Sequence, residues 1–155
     1  MIRRATEADF DALTELLFEV HGVHAEGRPD IFKPGAKKFT TDELREIIRN
    51  DSEPVFVYDD GERVLGHAFC EIRDRKETGN TFARRILFIH DLCVHEGARG
   101  RGIGTALYNY VRDYASERGC TNVELNVWAF NEGAITFYKS LGLEPLSMIM
   151  EEKMG

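Results

Sequence analysis

Hydrophobic positions change period several times along this chain, and each change marks an element. Ile2 to Arg4 suits a short strand, and Thr6-Glu7-Ala8-Asp9 suits a helix N-cap. Phe10, Leu13, Leu17 and Val20 then recur at helical spacing, in a helix expected to end near His21-Gly22. Between His21 and Phe39 no period persists, and Gly27, Pro29, Pro34 and Gly35 interrupt the chain. Thr40-Thr41-Asp42-Glu43 has capping-box spacing and opens a second helix carrying Leu44, Ile47 and Ile48.

The period then shortens to two. Val55 to Tyr58 and Val64 to Arg73 read as strands joined by a hairpin turn at Asp59-Asp60-Gly61-Glu62. After a further turn at Thr78-Gly79-Asn80, Arg84 to Val94 forms a third strand of the meander. Strict alternation places Ile86, Phe88, His90, Leu92 and Val94 on one face, and Leu87, Ile89, Asp91 and Cys93 on the other. Both faces are largely apolar, so this strand is expected at the centre of a sheet covered on both sides.

Ile103, Ala106, Leu107, Tyr110, Val111, Tyr114 and Ala115 give the clearest helical stripe in the chain, closed by Gly119. Val123, Leu125 and Val127 alternate as a strand, Asn131 to Leu141 is a helix ending at Gly142, and Leu146 to Glu152 is expected to be a final strand. The pattern is mixed α/β with an antiparallel first half, and 155 residues fit one domain, 1-155.

Composition narrows the function classes. With 20 basic and 27 acidic side chains the net charge is −7, which argues against nucleic acid as the main partner and is compatible with a cationic substrate. Cys70, Cys93 and Cys120 are widely spaced and form no Cys-x-x-Cys, so they read as reduced thiols of a cytoplasmic protein. No apolar run approaches the roughly 20 residues that span a bilayer, and no membrane association is expected.

Arg99-Gly100-Arg101-Gly102-Ile103-Gly104 joins the central strand to the strongest helix. A helix start offers unpaired N–H groups and the positive end of the dipole, and glycines let a phosphate approach that backbone. The stretch is therefore an anion site, suited to a pyrophosphate. Gly104 is followed by Thr105-Ala106 rather than Lys-Ser/Thr, so it is not a P-loop. The glycine spacing and late position also fit poorly with a dinucleotide fold, the site that a nucleotide-binding oxidoreductase would need. A glycine-rich surface turn that binds nothing is the remaining alternative.

The same hexapeptide resembles the Gln/Arg-x-x-Gly-x-Gly/Ala signature of the GNAT family of N-acetyltransferases. Asn131-Glu132-Gly133-Ala134-Ile135-Thr136-Phe137-Tyr138, followed by Leu141-Gly142-Leu143, is similar to that family's second signature. The strand ending Leu92-Cys93-Val94 and the element order from Ile2 to Glu152 match as well.

That resemblance implies a mixed central sheet, antiparallel in its first half, with two splayed parallel strands at the cofactor site and helices on both sides. It implies acetyl-CoA as cosubstrate, without a metal. Leu92, Cys93 and Val94 would contact the pantetheine arm through main-chain groups, with the Leu92 N–H at the acetyl carbonyl. Arg99, Gly100, Arg101, Gly102, Ile103, Gly104 and Thr105 would hold the pyrophosphate. Asn131 would hold the pantetheine arm or its loop, and the position equally suits a helix N-cap. Tyr138 matches the tyrosine that protonates the departing thiolate in many members, and it would also contact the cofactor.

Attack requires a neutral amine, and an alkylammonium loses its proton only near pH ~10. Members commonly place a glutamate on the first splayed strand or shortly before the asparagine. His90 and Asn126 stand there in this chain. His90, on the same face as Leu92 by alternation, is the candidate base; Glu71 on the neighbouring strand and an ordered water are the alternatives.

Acceptor specificity in the family resides mainly in the first helix–loop–helix and in the loops near the late strands, read here as the segment from His21 to Phe39, including His21, His24, Arg28, Asp30 and Phe32. His21 and His24 stand one turn apart without a third ligand and suit a cleft lining better than a metal site. The acceptor is left open among small-molecule amines and protein amines. The expected chemistry is direct attack in a ternary complex. A CoA-binding sensor or interaction module on the same fold would bind acetyl-CoA without turnover, and an oxidoreductase would bind NAD(P) instead. Leu146, Met148 and Met150 alternate with Ser147, Ile149 and Glu151, and family members often dimerise through their last strands, so a homodimer is expected.

Overall fold

The computed structural model describes all 155 residues. Five strands, β1 (Ile2–Arg4), β2 (Val55–Asp59), β3 (Val64–Arg75), β4 (Arg84–Val94) and β5 (Asn122–Leu125), form one sheet in sequential order. β1 to β4 are antiparallel, and β5 runs parallel to β4. The parallel step requires a crossover, supplied by α3 (Ile103–Glu117).

α1 (Phe10–Gly27) and α2 (Thr41–Arg49) cover one face of the sheet. Leu13, Leu16, Leu17 and Leu44 pack there against Val55, Val57, Phe69 and Cys93. α3 covers the other face, where Tyr108, Val111 and Ala115 meet Phe56, Ala68, Cys70, Leu87 and Ile89. α4 (Glu132–Ser140) follows β5. The α2 start is a formed capping box, with Thr40 and Glu43 exchanging hydrogen bonds of 3.0 and 3.1 Å.

Four sequence expectations are corrected. α1 continues past His21-Gly22 to Gly27, because Ala25 is buried and His24 packs on Phe32 at 5.1 Å. Tertiary packing there outweighs the low helix propensity of Gly22. β5 stops at Leu125, and Val127 lies outside the strand, 40% exposed.

Leu146 to Glu152 forms no strand: no backbone hydrogen bond joins it to a neighbour, and Leu146, Met148, Ile149 and Met150 are exposed. An extended segment becomes a strand only when a neighbour pairs its backbone, and nothing within the chain does so.

The fourth correction concerns β4. Phe69 lies opposite Asp91 and Cys70 opposite Ile89, so the register skips His90 in a β-bulge. Leu87, Ile89 and Leu92 all pack under α3, whereas Cys93 packs under α1. His90 therefore does not share a face with Leu92; it points to the α1 side.

Candidate acyl-transfer site

β4 and β5 pair only from Ile86 opposite Asn122 to Ile89 opposite Leu125. β4 continues to Val94 and pairs with β3 to the end, while on its other side β5 has ended. The β5-facing backbone of the bulge and of Leu92 to Val94 is thus an open sheet edge in the middle of the fold. It can take an extended, amide-bearing ligand. The Leu92 side chain is turned under α3, and the Cys93 thiol into the α1 core, 3.6 Å from the Leu16 carbonyl oxygen. Burial, together with the charges of Asp91 and Glu19, pushes that thiol up to about 12. It is a packing group, not a nucleophile.

At the end of the open edge, Gly100 and Gly102 have φ of +82° and +76°, left-handed conformations that a side chain would strain. Gly102 caps α3, whose first intrahelical bond runs from the Ala106 N–H to the Gly102 carbonyl at 3.0 Å. The N–H groups of Ile103, Gly104 and Thr105 precede that bond and carry the positive end of the helix dipole. Ile103 is buried, anchoring the loop, while Arg99, Arg101 and Thr105 are exposed. The Gly104 α-carbon faces Phe137 and Val94, so the loop, the strand end and α4 meet there.

Asn131 caps α4, its Oδ1 accepting from the Ala134 N–H at 3.1 Å. Tyr138 is on the same helix, half-buried, and its hydroxyl has no hydrogen-bond partner. Burial raises its pKa, and the negative charge of Asp91 raises it further, so the phenol keeps its proton.

On the α1 side of the sheet, His90 Nε2 lies 2.8 Å from Glu71 Oε1. Arg73 donates to the same oxygen at 3.1 Å, and its guanidinium stacks over Phe88. Burial pushes the Glu71 carboxyl up, but these two bonds outweigh it and hold the group below its ordinary value. His24 and Phe32 join Trp128 and Phe130 in a closed ring of aromatic contacts, with centroids 5.1 to 6.5 Å apart. Gly27 lies so close to the Phe130 ring that a Cβ there would collide with it. Burial lowers the pKa of His24.

Arg28 is engaged by Asp30 and, at 2.5 Å, by Glu151 of the C-terminal segment. His21 Nε2 donates to the Lys33 carbonyl at 2.6 Å. The predicted residues therefore fall into two groups, the cofactor set along β4, the glycine loop and α4, and the acceptor set on the α1 side.

Two features escaped the sequence reading. One is the Trp128–Phe130 contribution to the aromatic ring, which comes from a segment with no period. The other is a buried pair, in which His67 Nε2 donates to Asp91 Oδ2 at 2.7 Å. A charged residue inside a strand apolar on both faces was the available signal for it.

Glu15, Glu19 and His95 also converge. His95 Nδ1 accepts from the Gly97 N–H at 3.1 Å, which puts the neutral ring's proton on Nε2, facing the two carboxylates. With Nδ1 engaged by Gly97 and the ring proton on Nε2, the imidazole offers this cluster no free lone pair.

The sequence profile of the acetyltransferase (GNAT) family matches residues 13–143. An uncharacterized N-acetyltransferase of Methanocaldococcus jannaschii is 34% identical over 148 residues, covering 96% of this chain and 62% of the relative. A thialysine N-epsilon-acetyltransferase of Mus musculus is 34% identical over 68 residues, covering 44% of this chain and 40% of the relative. The chain thus spans less than two thirds of the length of either. A mutant of a Bacillus halodurans protein superposes with a TM-score of 0.96 at 28% identity, with 99% of both chains covered.

Proposed function

This chain belongs to the acetyltransferase (GNAT) family, and from that membership we propose that it transfers the acetyl group of acetyl-CoA to a primary amine. The observation that carries the reading is the departure of β5 from β4 after Leu125, beside a glycine loop that opens α3. The open edge suits the amides of pantetheine, and the helix start suits the pyrophosphate.

In the proposed step the neutral amine attacks the thioester carbonyl, whose oxygen is polarised by the Leu92 N–H. The C–S bond of the tetrahedral intermediate then breaks, and Tyr138 gives its proton to the thiolate. The amine's proton leaves to His90, which Glu71 orients from 2.8 Å. A carboxylate behind an imidazole fixes its tautomer and stabilises its protonated form. The acetyl group passes directly between the two substrates, because the Cys93 thiol is turned into the core.

We place the protein in the cytoplasm on its three free thiols, and no helix is long and apolar enough to cross a membrane. Titration calorimetry tests the reading first. Acetyl-CoA should bind and NAD(P) should not; no binding at millimolar acetyl-CoA defeats it. Turnover against an amine panel then separates an enzyme from a sensor that only binds.

A further inference from the structure

The bulge at His90 has a chemical result. Along β3, His67, Phe69 and Glu71 alternate onto the α1 side of the sheet, and His67 and Phe69 make an edge-to-face contact at 4.9 Å. Because β4 carries an extra residue opposite Phe69 and Cys70, His90 and Asp91 both face that side. His90 pairs with Glu71 at the surface, and Asp91 pairs with His67 beneath it.

The inner pair is built differently from the outer one. His67 is fully buried, and its Nδ1 has no partner at all. An apolar residue would fill that space without leaving a polar atom unsatisfied. What the imidazole does is clamp one oxygen of Asp91. The other oxygen, Oδ1, makes no hydrogen bond within the chain and is not among the sealed polar atoms. Asp91 is 8% exposed, immediately precedes Leu92, and its charge is felt both at His24 and at Tyr138. Two residues on, on the same face, Cys93 packs on Leu16 of α1, and two turns further along that helix His24 enters the aromatic ring, so Asp91 and the ring share the α1 side of the sheet. Burial pushes the Asp91 carboxyl up, but the His67 bond outweighs that and keeps it ionised.

Resting on the acetyl-transfer reading, we propose that Asp91, clamped by His67, anchors the acceptor's ammonium group through Oδ1, with Phe32 and Trp128 flanking the stem. The acceptor is then a cationic amine on an apolar or extended stem, since an aromatic wall favours both cations and methylenes. Asp91 acts in binding, His67 is its positioning residue, and His90 next to it is left free for the proton. The bulge is what lets adjacent residues of one strand take these two parts.

The test is steady-state kinetics of the full chain with acetyl-CoA and the best substrate among lysine, thialysine, spermidine and a peptide with a free N-terminus. Asp91→Asn should raise the KM for that amine by about 30-fold or more, the usual cost of removing one partner of a desolvated charge pair. The kcat should stay within about threefold and the acetyl-CoA Kd should not change, since the loss is confined to acceptor binding. His67→Gln should move KM the same way by less.

An unchanged KM in Asp91→Asn, or a loss confined to kcat, overturns the assignment. Should Asp91→Asn fail to fold, the wild-type protein decides: the alcohol that replaces the reactive amine should compete at least about 30-fold more weakly, and equal affinity overturns the proposal. Absence of turnover with all four amines defeats the acetyl-transfer reading instead. Calorimetry of those amines on the acetyl-CoA-loaded protein, with and without Asp91→Asn, then settles the anchor on its own, and equal binding by the two proteins overturns it.

Discussion

Tyr138 illustrates how much a single side chain's surroundings decide. A phenol exposed to water would share its hydroxyl with solvent, whereas here it is half-buried, lacks a hydrogen-bond partner and is held protonated by burial and by Asp91. Such a group is suited to donate when charge develops on sulfur. Tyr138→Phe keeps the ring and removes only the donor, so kcat should fall by about 100-fold while acetyl-CoA binding and thermal stability stay close to wild type. A kcat unchanged in rapid-mixing and steady-state assays would remove the tyrosine from the mechanism. Cys93, three residues beyond His90 on the same strand, shows the opposite outcome, its thiol pushed up to about 12 and turned into the core.

At the scale of elements, the glycine loop and the chain's first turn each join several pieces through backbone geometry. Gly102→Val forces a branched side chain into a left-handed φ of +76° at the very start of α3. It should weaken acetyl-CoA binding, measured by calorimetry, much more than Arg101→Ala, which removes one exposed charge. Equal losses would mean that side-chain charge, not backbone, holds the phosphates.

In the first turn, Asp9 accepts two bonds from Arg3, at 2.8 and 2.9 Å, and one from the Thr6 N–H, while Arg3 also reaches Asp59. One guanidinium thereby ties β1, the start of α1 and the end of β2 together. The Arg3 bonds hold the Asp9 carboxyl below its ordinary 3.8, so the unfolded chain takes up the proton first as pH falls. The stability this contributes is complete above the ordinary value and is lost as pH drops through the depressed one. Asp9→Asn should cost about 2 kcal/mol at neutral pH, and its stability should approach the wild type's in acid, as denaturant melts at several pH values would record.

For the whole molecule, the unpartnered C-terminal segment is the feature that a single chain leaves incomplete. Leu146, Met148, Ile149 and Met150 lie exposed in sequence, and Glu151 beside them pairs with Arg28, the residue that caps α1. Contiguous apolar exposure of this kind marks an interaction site, and an extended segment with unpaired backbone takes another strand most readily. We propose that two copies of the chain pair through it. Light scattering at high micromolar concentration should then give about twice 17.7 kDa, and Ile149→Glu should lower that mass. A monomer throughout would refute the pairing.

The linear sequence determined whatever depends on period and on short-range chemistry. The antiparallel meander, the helix over Ile103–Glu117, the Asn131 cap and the glycines required at positive φ follow from alternation, heptad-like spacing and steric limits, and each is formed. Local pattern cannot register a bulge, however, because the extra residue is defined by the partner strand opposite it. Alternation alone therefore puts His90 on the wrong face, and it cannot join His67 to Asp91 across 24 residues of sequence. The same limit explains α1 running on to Gly27, where packing of His24 on Phe32 and burial of Ala25 outweigh a glycine. It also explains the last segment, whose alternating pattern is that of a strand but whose backbone finds no neighbour within the chain. Period sets which elements a chain can form; the partners brought together in three dimensions decide where they end, which way a side chain points, and which carboxylate an imidazole holds.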